Sequence, residues 1–126
     1  MYTTILGFSI GLLILIVGRF ASKRKFLSGR ENLTDVELIK LFSSDSIQRG
    51  ERVISVLIVV GRCYGVSYKK LRPSDYFKGG LSEIDSWRAG VGSIRFQHFL
   101  VMEFGSKSPI NKRLITIEGL FRELGI

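Results

Sequence analysis

The sequence predicts an all-α protein, in which a single N-terminal transmembrane helix precedes a small helical bundle. Two observations predict this class. The stretch from Thr3 to Gly18 has no ionisable side chain, and about 20 apolar helical residues cross a hydrocarbon core of roughly 30 Å. Beyond residue 32, apolar residues recur at spacings of three and four between capping residues, which is typical of amphipathic helices.

The chain divides into three predicted parts. Residues 1–21 form the transmembrane helix, residues 22–32 a basic juxtamembrane linker, and residues 33–126 a small cytoplasmic domain. Gly29, in the linker, is available to end the helix as it leaves the bilayer. Tyr2 and Phe20 are placed to lie at the two membrane interfaces, where aromatic side chains are enriched.

The charges beside the predicted span indicate its orientation. Lys23, Arg24 and Lys25 follow the span, whereas the preceding Met-Tyr-Thr-Thr has no charged side chain. Basic residues favour the cytoplasmic side, and a cleaved signal peptide needs a basic start. We therefore expect an uncleaved single-pass protein of the inner (cytoplasmic) membrane, with its N-terminus outside. The three basic residues are candidate contacts to lipid headgroups, which makes the bilayer the first expected partner.

Composition argues against several classes of function. Of 19 basic and 11 acidic residues, five basic and no acidic ones lie in residues 1–30. The remaining 14 basic and 11 acidic residues give the rest of the chain a charge of only +3, so nucleic-acid binding is not expected. The single cysteine, Cys63, is predicted to be a small core residue, and His98 has no neighbours at metal-ligand spacing.

Two helices are predicted before the middle of the domain. In the segment 33–42, Thr34 and Glu37 form a capping box, with Leu33 and Leu38 as its hydrophobic staple. Ile47 to Tyr64 contains a β-branched run that favours a strand by propensity. Its length and its apolar spacing of three and four favour a core helix instead.

The second half of the domain alternates loops and helices. Residues 68–80 are predicted to form a loop anchored in the core by Leu71 and Phe77, and residues 81–92 an irregular segment in which Trp87 is a further core anchor. Ser93 is predicted to cap a helix to Phe104 that turns Ile94, Phe99 or His98, Val101 and Met102 inward. Thr116 caps a last helix that Gly125 ends.

No motif of a known catalytic class occurs in the chain, so it is not expected to be an enzyme. Asp75, Glu83 and Asp85 could pair or bind a hard cation, but acids in a loop are most often solvated. We expect these three to be solvated.

The order of these segments resembles the acyl-carrier-protein-like fold. The resemblance rests on a long apolar helix, the Leu-Arg-Pro-Ser-Asp-Tyr-Phe loop from Leu71 to Phe77, a second helix, and the Thr-Ile-Glu-Gly-Leu segment from Thr116 to Leu120. Arg62 to Trp87 more closely resembles bacterial proteins of unknown role that carry such a domain behind an N-terminal membrane helix. The resemblance covers about residues 47–124.

In carrier proteins, a serine in an Asp-Ser-Leu triplet at the start of the second helix takes a phosphopantetheine arm. Asp85-Ser86-Trp87 resembles that triplet, with Trp87 in place of leucine and Arg88 after it. Carriers present an acidic second helix to their enzymes. The corresponding segment here contains Arg88, Arg95 and His98 but, among acidic residues, only Glu103. We therefore expect no cofactor. The first hypothesis is a membrane-anchored, non-enzymatic interaction module with an unidentified protein partner. The alternative is a genuine carrier tethered to the inner membrane and modified at Ser86.

Overall fold

The structure, a computed structural model, describes residues 2–42, 47–105, 110 and 113–126. Within these residues the chain is all-helical and contains no strand, although Tyr76 and Thr116 form an isolated β-bridge. The all-α prediction is therefore confirmed. The helices are α1 (Tyr2–Leu27), α2 (Asp35–Leu41), α3 (Ile47–Tyr64), α4 (Ser82–Ser86), α5 (Val91–Phe104) and α6 (Ile117–Leu124). A 3-10 turn (Tyr68–Lys70) and a wide π-type turn (Phe77–Leu81) lie between α3 and α4.

Helix α1 is longer than the sequence predicted. Within Thr3–Leu27, an 18-residue segment has a mean hydropathy of 2.1 and none of it is buried. By length and composition, this helix can cross a membrane. The helix continues through the first part of the predicted linker, residues 22–32, to Leu27 and ends before Gly29, as expected. The basic residues there are good helix formers. The chain turns away only at Gly29, whose φ of 72° is a conformation that glycine adopts readily.

Helices α2 and α3 form as predicted. The Thr34 hydroxyl accepts from the Glu37 N–H, and the Glu37 carboxylate accepts from the Thr34 N–H, which completes the capping box. Leu38, on α2, is fully buried. On α3 the apolar residues at spacings of three and four are buried: Val53, Val56, Leu57, Val60 and Tyr64. The helical alternative for Ile47–Tyr64 is thus confirmed over the strand.

Aromatic side chains fill the centre of the domain. Phe77 is fully buried and stacks on Phe96, with ring centroids 5.5 Å apart, and the Tyr64 ring lies 6.1 Å from Phe77. Leu71 is also fully buried, so both predicted loop anchors reach the core. Cys63 is buried as expected, and burial raises the pKa of its thiol.

The segment 81–92 is more regular than predicted, because α4 occupies part of it. Helix α5 begins at Val91, and Ser93 lies inside it rather than capping it. The predicted inward residues Ile94, Val101 and Met102 are 67%, 37% and 70% exposed, whereas Phe96 and Leu100 are fully buried. The helix carries apolar residues on several faces, so periodicity alone could not select the buried one.

The last helix, α6, forms as predicted. The Thr116 hydroxyl accepts from the Gly119 N–H at 3.0 Å, and Ile117, Leu120 and Phe121 are buried. Gly125 ends the helix in the left-handed conformation.

Candidate functional site at the junction of the first helix and the domain

One face of α1 packs directly against the domain. The Trp87 ring lies on Gly18, where a Cβ atom would stand 2.4 Å from the nearest ring carbon. No side chain larger than hydrogen fits there without moving the indole. The Trp87 Nε1 donates to the Ser22 hydroxyl at 2.9 Å, one helical turn further along α1. Trp87 is 37% exposed. The predicted role of Trp87 as a core anchor is therefore wrong, since it joins the domain to α1.

A largely buried ion pair forms the second part of this junction. The Arg30 guanidinium donates to both Asp75 carboxylate oxygens, at 2.7 and 2.6 Å, and lies 4.2 Å from the Phe26 ring centre. The Asp75 carboxylate also accepts from the Arg72 N–H at 2.7 Å. Asp75 is 6% exposed, so its predicted solvation is wrong. This bidentate, charge-assisted contact joins the segment after α1 to the loop.

Backbone contacts extend this attachment. The Arg72 guanidinium donates to the Glu31 carbonyl at 2.6 Å, and the Leu33 N–H donates to the Lys69 carbonyl at 3.1 Å. On its other side, the Asp75 carbonyl accepts from the Ile117 N–H at 2.9 Å. The Leu-Arg-Pro-Ser-Asp segment therefore connects the exit of α1 with the start of α6.

Asp85 caps the start of α5 beside this junction. Its carboxylate oxygens accept from the Gly92 N–H at 2.7 Å and the Ser93 N–H at 2.8 Å, at the start of α5. A negative charge is stabilising at that end of a helix. Asp85 is 1% exposed, so its predicted solvation is wrong as well, whereas Glu83 is exposed as expected. A Cβ at Gly92 would lie 2.3 Å from the Cys63 carbonyl, so only glycine permits this approach of α5 to α3.

A pair of hydroxyl groups joins α3 to α5, and the Arg88 guanidinium contacts α3 from the segment before α5. The Tyr64 hydroxyl lies 2.9 Å from the Ser93 hydroxyl in the buried interior, and burial raises the pKa of the Tyr64 phenol. The Arg88 guanidinium donates to the Cys63 carbonyl at 3.1 Å, near the C-terminus of α3. These polar groups bond to one another or to backbone, and the described residues contain no cluster of His, Cys, Asp or Glu suited to a metal ion.

Ser86 lies at the exposed end of α4. It is the last residue of that five-residue helix, and its hydroxyl donates to the Glu83 carbonyl at 2.8 Å. The following helix, α5, begins only at Val91 and takes its cap from the Asp85 carboxylate. Ser86 therefore does not occupy the helix start at which carrier proteins hold their modified serine.

The predicted headgroup-contacting residues lie in the last two turns of α1. Lys23 is half-buried, whereas Arg24 and Lys25 are exposed. Sequence reasoning missed Gly18, the Arg30–Asp75 pair and the Asp85 cap. The one signal in the sequence for Gly18 is its small size within a run of large apolar residues.

No protein-family model, curated protein or solved structure matches this chain.

Proposed function

We propose that this chain is a membrane-anchored, non-enzymatic protein-interaction module with a carrier-like scaffold. In this proposal α1 crosses the inner membrane, the N-terminus lies outside, and the domain lies in the cytoplasm. The apolar length of α1 supports the span. The basic residues at its C-terminal end support the orientation.

The observation that carries the proposal is the exposed face of α5. Ile94, His98, Val101 and Met102 are exposed and lie at positions i, i+4, i+7 and i+8, which form one side of a helix. Ile94 and Met102 are 67% and 70% exposed. Single exposed apolar residues are ordinary, but Ile94, Val101 and Met102 form an apolar row along one helix face, with His98 between them, and helices meet protein grooves through such rows.

The junction supports the same proposal, because it fixes how this face is presented. Trp87 on Gly18 and Arg30 on Asp75 attach the domain to α1 at two separate points. A domain held in this way offers α5 in one orientation relative to the membrane helix. Arg95 is exposed beside the apolar row, so a partner with an apolar surface and nearby acidic groups is the best complement.

The test compares two surface variants of the full chain, purified in mild detergent from its native host. Ile94→Ser with Met102→Ser removes the two most exposed apolar side chains of this face, whereas Val36→Ser alters an apolar residue on α2 that is 62% exposed. We expect a protein that copurifies in fixed stoichiometry with the wild type and with Val36→Ser, and that is lost from the double variant.

A photo-crosslinking residue at position 102 should give an adduct with that same protein, whereas one at position 36 should not. A partner retained by the double variant, or an adduct formed equally from both positions, would contradict the assignment of this face.

A further inference from the structure

A groove lies beside the junction, between α1 and the 3-10 turn. It has a volume of about 450 Å³ and is lined by Phe20, Lys23, Arg24, Leu27, Ser28 and Lys70. The first five residues follow the spacing i, i+3, i+4, i+7 and i+8, so they form one stripe of α1 and the turn after it. The volume lies within the range of sites for small ligands.

The charges in this groove have one sign. Lys23 and Arg24 come from α1, Lys70 comes from the domain, and no acidic residue is among those that line the groove. Lys70 is held in place through its backbone, since its carbonyl accepts from the Arg30 guanidinium at 3.0 Å. The same arginine that joins α1 to the domain thus brings a third cation to the two on the helix.

Along α1, the apolar end of the groove comes before its cationic end. Phe20, which is 67% exposed, lies on the side of the groove toward the apolar part of α1, and the cations follow it. At a rise of about 1.5 Å per residue, Lys23 and Arg24 lie roughly 3–5 Å beyond Ala21, the predicted end of the span. The polar headgroup layer is on the order of 5–8 Å thick on each side of the hydrocarbon core. If α1 spans the bilayer, the three cations meet the phosphate level.

We propose that this groove binds the headgroup of an anionic phospholipid, an inference that rests on the membrane placement proposed above. Lys23, Arg24 and Lys70 contact the lipid phosphate, the Ser28 hydroxyl donates to the headgroup, and Phe20 and Leu27 contact the glycerol and upper acyl chains. One lipid then contacts both α1 and the domain and stabilises their junction.

The experiment uses the full chain in nanodiscs of phosphatidylcholine with a minor share of phosphatidylglycerol. Native mass spectrometry counts the anionic lipids that stay bound as the disc is stripped. We expect the wild type to keep one phosphatidylglycerol. Lys70→Gln and the double variant Lys23→Gln with Arg24→Gln should lose it, with retention falling on the order of fivefold for each charge removed.

The matched control is Lys69→Gln. It removes one charge next to the groove residue Lys70, but its side chain is exposed and does not line the groove. This variant should retain the lipid. An equal loss in the control and in the groove variants would overturn the proposal in favour of diffuse attraction to the basic cluster.

Two further outcomes separate this proposal from the proposed function. Displacement of the lipid by millimolar inorganic phosphate would assign the groove to a soluble anion and overturn the lipid assignment, while leaving the membrane anchor intact. Failure of the wild-type chain to enter nanodiscs or vesicles of phosphatidylcholine, with or without phosphatidylglycerol, would overturn both proposals.

Discussion

Replacement of Asp85 by alanine should destabilise the domain by about 2–4 kcal/mol. The carboxylate accepts two short hydrogen bonds from the start of α5, at 2.7 and 2.8 Å, and hydrogen bonds to charged groups contribute about 1.5–3 kcal/mol each. Removal of the carboxylate leaves the buried Gly92 and Ser93 N–H groups without this acceptor. The cost of burying the carboxylate disappears with it, which brings the net effect below the sum of the two bonds.

Urea unfolding of the full chain in detergent micelles, followed by far-ultraviolet circular dichroism, measures this change. Asp85→Asn keeps one acceptor oxygen, so it should lose about half as much stability as Asp85→Ala. The neighbouring variant Ser86→Ala is the matched control. Ser86 is exposed and bonds only locally, to the Glu83 carbonyl, so its stability should stay within about 0.5 kcal/mol of the wild type.

An Asp85→Ala variant that unfolds within about 0.5 kcal/mol of the wild type would refute the capping role, because the carboxylate then contributes nothing to α5. A Ser86→Ala variant as destabilised as Asp85→Ala would refute it as well. That result would give the serine a role in the fold that its exposed position does not provide.

The other predictions concern the core, the topology and Ser86. Phe77→Ala should cost about 3–5 kcal/mol, because its fully buried ring stacks on Phe96, whereas Tyr76→Ala, 46% exposed, should cost under about 1 kcal/mol in the same urea titration. Reporter fusions should place the C-terminus in the cytoplasm, and a periplasmic signal from that terminus would contradict the proposed orientation. Coexpression with a broad-specificity phosphopantetheinyl transferase should leave the intact mass unchanged, and a gain of the arm that Ser86→Ala abolishes would make the chain a carrier.

The features that could be predicted from the sequence are local ones. The Thr34–Glu37 capping box joins residues three positions apart, so its pattern is visible in a short window. Helix α3 was predictable because its 18 residues are too long for an ordinary strand and its apolar residues from Val53 to Tyr64 recur at spacings of three and four. Thr116 and Gly125 similarly mark the two ends of α6.

The features that could not be predicted join distant segments. Arg30 and Asp75 are 45 residues apart, and nothing near either residue indicates that they pair. From the sequence alone Asp85 is predicted to be a solvated acid in a loop, because the sequence does not show that α5 starts beside it. The contact of Trp87 could not be predicted either. Its hydrophobicity alone favours a place in the core, whereas in the structure its ring lies on Gly18 of α1.

These missed contacts bear directly on the choice between the two functional hypotheses. A carrier needs its serine at a helix start that a transferase can reach. In this chain the carboxylate of Asp85 is buried under α5, and the next residue after Ser86 packs its ring on α1. If α1 spans the bilayer, Ser86 lies beside the membrane surface, in a segment fixed from both sides. That arrangement suits a domain that presents α5 to a partner better than one that moves an arm between enzymes.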